Sequence, residues 1–120
     1  MVGLDVTMQV VFSRDDRQSL ANNTSREATL LKEVTRYLFD TREVNDMALH
    51  DPLAVLVAVH PDLVKTMAAD VQVETQGRYT LGQTVVDQRQ SAPAPKRRTR
   101  VCVGVDVQRA RTMFFTTLGL

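Results

Sequence analysis

Seven apolar residues in unbroken succession, Leu53 to Val59, stand directly behind Leu49-His50-Asp51-Pro52, and this junction constrains the fold more tightly than any other stretch. Proline lacks an amide hydrogen and has a preset backbone angle, which suits the first position of a helix. An aspartate just before it accepts the free amide hydrogens of the first turn. Asp51 is therefore predicted as the N-cap and Pro52 as the first helical residue, with the helix ending near Val59, before Pro61. Because the run is apolar on every side, the helix is expected to be central and buried. Seven such residues also suit a core strand, and Pro52 favours the helix. His50 is expected to face solvent or a cleft, which sets an imidazole and a carboxylate side by side at the helix mouth.

The rest of the chain divides at its turn and capping residues. Met1 to Val6 is β-prone. Ser13 with Asp16 predicts the cap of a short helix through about Ala21, and Thr24 with Glu27 repeats that pattern before Ala28, Leu31, Val34 or Thr35, and Leu38, which recur at helical spacing to about Phe39. Thr41 to Met47 is polar and reads as a loop. Val71 and Val73 alternate with polar residues, Gln76-Gly77 marks a turn, and Tyr79 to Val86 resumes β-prone sequence, so a β-hairpin is predicted. Ser91 to Arg100 is rich in proline and arginine and reads as a mobile loop. Val101 to Val107 alternates like a strand, and Gln108 to Leu118 like a closing helix.

Composition narrows the function. With 120 residues, 43% of them hydrophobic, the chain makes at most one domain, which at this size buries roughly two-thirds of its extended surface. Fifteen basic against fourteen acidic residues leave a net charge of +1, which argues against a general electrostatic role on nucleic acid or membranes. Lys96, Arg97, Arg98 and Arg100 form a local basic cluster, but no aromatic residues interleave with them, and a solvated loop accounts for them. The single cysteine, Cys102, excludes an intrachain disulfide and lies in an apolar alternation that suits a buried thiol. Without a membrane-length apolar run or a signal-peptide pattern, the expected setting is cytoplasmic.

The chemistry available at His50 and Asp51 is acid and ligand chemistry. Adjacent side chains leave the backbone in different directions and so serve neighbouring sub-sites. A carboxylate is a hard oxygen ligand of the kind calcium prefers, and a histidine is the side chain best suited to donating a proton near neutral pH. Taken alone, an Asp-Pro helix start is also simply a good cap.

Two further stretches extend the pattern: Val2-Gly3-Leu4-Asp5-Val6-Thr7 before it and Thr80-Leu81-Gly82-Gln83-Thr84-Val85-Val86-Asp87 after it. In this order the three resemble the C-terminal part of the nucleoside hydrolases, calcium-dependent N-ribohydrolases that split a nucleoside into base and ribose. The resemblance covers nearly all 120 residues, least well at 91–100. It implies an α/β fold, the C-terminal part of the nucleoside hydrolase fold, with an open, mostly parallel sheet, helices and a β-hairpin, residues 1–120 forming one partial domain. By resemblance Asp51 is a calcium ligand and His50 the proton donor to the departing base. Tyr37 and Arg42 fall where the family places base-contacting side chains, with helix surface or core packing as the alternative. Asp5 lies in a segment that is structural in the family.

The departures bear on activity. The family's Asp-rich opening segment, which supplies most calcium ligands and the base that activates water, is absent from this sequence, as is its Asn/Glu/Asn ribose-binding cluster. One carboxylate cannot hold calcium firmly when six or more oxygens are needed. The resemblance thus implies hydrolysis of ribonucleosides with calcium as cofactor, in a chain expected to be inactive until another polypeptide, by oligomerisation or as a partner chain, supplies the rest. The alternative is a non-catalytic fragment or subunit whose opening strand and apolar helix dock on a partner.

Overall fold

The computed structural model describes residues 1–89 and 99–119. The order of elements is α1 (Leu4–Thr7), β1 (Val11–Ser13), α2 (Arg14–Ser19), α3 (Arg26–Arg36), a π-helical turn (Tyr37–Thr41), β2 (Asp46–Ala48), α4 (His50–Val59), a 3₁₀ turn (Pro61–Leu63), β3 (Val64–Ala69), β4 (Val71–Val73), β5 (Thr84–Val86), β6 (Thr99–Val105) and α5 (Val107–Thr117). The expected mixture of helices and strands is present. Its strand pairing differs from expectation: β1 with β2, β3 with β6, and β4 with β5 are all antiparallel two-stranded pairs. Parallel sheets need helices over both faces. Among the described residues each strand pairs with one other.

Local chemistry accounts for most element boundaries. Ser13 and Asp16 form the predicted capping box: the Asp16 amide donates to Ser13 Oγ at 3.1 Å and the Ser13 amide to Asp16 Oδ2 at 2.7 Å. At α3 the cap is Ser25, not Thr24, with the Ala28 amide donating to its hydroxyl at 3.1 Å, while Asn23 Oδ1 accepts the Ser25 amide at 2.9 Å and sets the entry one residue later. Of the two residues that suit the buried stripe of α3, Thr35 is buried and Val34 exposed. The Thr35 hydroxyl satisfies itself on the Leu31 carbonyl at 2.6 Å. The hairpin forms as β4 and β5, but Tyr79 to Gly82 is turn rather than strand, with Gly82 at φ 85° supplying the left-handed residue. The expected loop at Thr41 to Met47 ends early: Asp46 and Met47 open the strand β2, because Leu49 and the residues before it pair along Val10 to Ser13.

Two expectations are corrected at the ends. Met1 to Val6 does not form a strand: Met1 alone lies along β6, its amino group donating to the Arg100 carbonyl at 2.6 Å and its carbonyl accepting the Cys102 amide at 2.9 Å. The Gly3 carbonyl then takes the Val6 and Thr7 amides at 3.1 and 3.0 Å and turns the chain into α1. The expected loop at 91–100 ends early, since Thr99 and Arg100 open β6; residues 91–98 lie outside the described residues.

The core gathers Val6, Val10, Phe12, Leu20, Phe39, Leu49, Leu53, Cys102, Ala110 and Phe114. Phe12 is its hub, edge-on to Phe39 at 5.9 Å and to Phe114 at 6.5 Å between ring centroids. Arg14 and Arg17 lie over the Phe39 ring, and Arg14 donates to the Phe39 and Val44 carbonyls, which ties the π-helical turn to the start of α2. The buried thiol expected at Cys102 is found.

Candidate active site

The chain runs from β2 directly into α4. The Leu49 amide donates to the Val10 carbonyl at 2.8 Å, and the Leu49 carbonyl accepts the Leu53 amide at 3.0 Å. Leu49 is therefore the N-cap, and Asp51, predicted in that role, lies within the first turn beside His50. The strand carries Leu49 into the core and leaves no room for a later start. Pro52 still fits, because the first amides of a helix have no partner within it. A carboxylate in the first turn is favoured by the partial positive charge of the helix N-terminus.

His50 and Asp51 are both exposed. The imidazole is nonetheless anchored, with Nδ1 2.7 Å from Thr7 Oγ1. Thr7 is 3% exposed, and its hydroxyl also reaches the Leu4 carbonyl at 3.4 Å. The first and second of the three sequence blocks thus meet at one hydrogen bond. The sequence pattern singled out the first block as structural and passed over Thr7; the signal it offered was a single hydroxyl residue closing an otherwise apolar and acidic block. Asp5, in the same block, is exposed.

The other candidates lie apart from this pair. Tyr37 opens the π-helical turn and is 59% exposed; Arg42 follows it, exposed, with its amide on the Tyr37 carbonyl at 3.0 Å. Among the described residues, no hydrogen bond or ion pair joins either to His50 or Asp51. In the third block, Asp87 is held by the Arg89 side chain at 2.9 and 2.6 Å, which pulls its pKa down to about 2.

The buried central helix expected at 53–59 is half realised. Leu53 is buried, and Leu56 and Val57 partly so, against the core. Ala54, Val55, Ala58 and Val59 are exposed, Val55 by 64% and Val59 by 67%, because no described element packs on that side. At four-residue spacing these fall in two rows, His50-Ala54-Ala58 and Asp51-Val55-Val59. The candidate site heads the uncovered apolar face.

Asp51 is a suitable single ligand for calcium, but the described residues assemble no cluster of three or more potential metal ligands. They do not by themselves make a calcium site. Among them, no helix is long and apolar enough to cross a membrane.

Comparison with known proteins defines the class. The structure superposes with a TM-score of 0.76 on the purine-preferring ribonucleoside hydrolase of Gardnerella vaginalis, at 34% identity, over 98% of this chain and 38% of that one. The chain belongs to the inosine-uridine preferring nucleoside hydrolase family, whose model matches residues 1–112. It is 32% identical over 114 residues to the inosine-uridine preferring nucleoside hydrolase of Crithidia fasciculata, covering 91% of this chain and 36% of that protein. It is 34% identical over 92 residues to the pyrimidine-specific ribonucleoside hydrolase RihA of Salmonella newport (strain SL254), covering 72% and 30%. The chain therefore spans about a third of the length of these relatives.

Proposed function

We propose that this chain contributes the acid side of a ribonucleoside hydrolase, with His50 protonating the departing base and Asp51 ligating calcium. The observation that carries the reading is the His50-Asp51 pair, exposed together at the start of α4 in a chain of this family. Cleavage of an N-glycosidic bond leaves electron density on a base nitrogen, and a positioned imidazole lowers the barrier by delivering a proton there. With Nδ1 occupied by Thr7, Nε2 is the nitrogen left to deliver it. When bound, calcium supplies positive charge that orients ribose hydroxyls and a water. The relatives are named for purine, pyrimidine and mixed preferences at nearly equal identity, so the substrate class proposed is the ribonucleoside, without a chosen base.

Activity belongs to the chain together with the remainder of the fold. The uncovered face of Ala54, Val55, Ala58 and Val59 supports this, because whatever covers it also reaches His50 and Asp51. The setting proposed for the assembled enzyme is cytoplasmic. The test joins the 120 residues to the complementary part of the Gardnerella relative. In the completed protein, Asp51→Ala should weaken both calcium binding and turnover. His50→Ala should slow inosine or uridine hydrolysis by about 10²–10⁴-fold, the usual contribution of a general acid, and spare nitrophenyl riboside, whose leaving group needs no proton. Equal loss on both kinds of substrate removes the acid role.

A further inference from the structure

We propose that Thr7 is the positioning residue of His50: its hydroxyl accepts a hydrogen bond from Nδ1–H, donates its own to the Leu4 carbonyl, and so dedicates Nε2 to proton delivery. The inference deepens the reading of His50 as donor and rests on it. A histidine that gives up a proton from Nε2 and is left neutral must keep its other proton on Nδ1. That requires an acceptor at Nδ1. Thr7 Oγ1 stands 2.7 Å away, and a hydroxyl has a single hydrogen, which can be directed to the Leu4 carbonyl at 3.4 Å.

Burial makes the arrangement directional. Thr7 is enclosed in the core, where an unpaired hydroxyl is costly, whereas His50 is exposed and its ring would otherwise rotate freely. The two residues are 43 positions apart, so no local preference brings them together. Backbone bonds hold both ends: the Thr7 amide donates to Gly3 at 3.0 Å, and Leu49, next to His50, donates to Val10. The Val10 amide in turn bonds the Thr7 carbonyl at 3.2 Å, so one short stretch of backbone fixes both partners.

The test reads the ring directly. In a ¹⁵N-histidine-labelled 120-residue chain in alkaline buffer, long-range ¹H–¹⁵N spectra distinguish the two neutral tautomers, and a His60→Gln variant assigns His50, since the chain has 2 histidines. The expected result is a protonated Nδ1 and a bare Nε2 at His50, the reverse of the preference of free histidine. Thr7→Ser should keep that signature, and Thr7→Val should shift the population to protonated Nε2. A wild-type His50 protonated on Nε2, or a tautomer unchanged in Thr7→Val, overturns the proposal, and the wild-type spectrum decides even if a variant fails to fold. In the completed enzyme, Thr7→Val should slow nucleoside hydrolysis and spare nitrophenyl riboside. Loss of that contrast with the tautomer as expected would refute the donor reading of His50 while leaving the Thr7 contact standing.

Discussion

Asp16 shows how single residues here carry more than one load. Its carboxylate closes the capping box at Ser13 and binds Arg111, 95 positions away, at 2.8 Å, while Arg111 also donates to the Val11 carbonyl and lies over Phe115. Partial burial pushes the Asp16 carboxyl up, but the hydrogen bonds from Arg111 and Ser13 and the charge of Arg111 outweigh it and hold it below the ordinary carboxylate value. A carboxyl depressed in the folded state stabilises the fold above its unfolded pKa and loses that contribution as pH falls through the folded one. Stability measured by urea denaturation should therefore fall below about pH 4, and part of that fall should vanish in Asp16→Asn. Arg111→Ala should cost about 1.5–3 kcal/mol at neutral pH, the range for hydrogen bonds to charged groups, seen as a lower urea midpoint.

Among the elements, two of the antiparallel pairs differ in what covers them. The β3–β6 pair contributes buried Ala69, Val101 and Cys102 to the interior. In β4–β5, by contrast, Val73 and Val85 are exposed, as are Tyr79 and Leu81 in the connecting turn. Opening of a hairpin held mainly by its own backbone bonds exposes little further apolar surface. Amide exchange should accordingly be much faster at Gln72 and Val85 than at Met67 and Val101. Equal protection would mean that the hairpin is covered in solution. At α3, Ser25→Ala should lower stability by about 1 kcal/mol and Thr24→Ala should not, measured by the same urea titration.

The molecule as a whole has a radius of gyration of 17.4 Å, against about 13.6 Å for a compact domain of this length. Such an open shape agrees with the exposed rows of α4 and with exposed Leu4 on α1, which contacts it, and Met8 just after that helix. If those rows seat the remainder of the fold, Val55→Lys with Val59→Lys should change the stability of the isolated chain by no more than about 0.5 kcal/mol, since both side chains are already in water. The same pair should abolish activity when the complementary part of the fold is supplied as a separate chain. Calorimetric titration of one part with the other, beside the turnover assay, checks both halves of that expectation. The isolated chain should neither bind calcium tightly nor hydrolyse inosine or uridine, and substantial turnover by it alone would contradict the proposed division.

Local signals determined what depends on near neighbours in the chain. The Ser13–Asp16 box, the helix behind His50, the Val71–Val86 hairpin and the closing helix were all legible, because capping, proline geometry and alternation act over a few residues. The pairing of His50 with Asp51 and the three blocks that carry the family resemblance were legible for the same reason. What escaped the sequence is set by contacts across the chain. Leu49 displaced Asp51 as the cap because Val10, far upstream and just before β1, holds its amide. Met1 paired with β6 while the next residues became helix, because strand formation needs a partner that composition does not reveal. The apolar run of α4 was read as buried from its composition, but burial depends on what lies opposite, and half of that helix faces none of the described elements. Thr7 became the anchor of His50 only when the fold closed 43 residues of separation to one hydrogen bond.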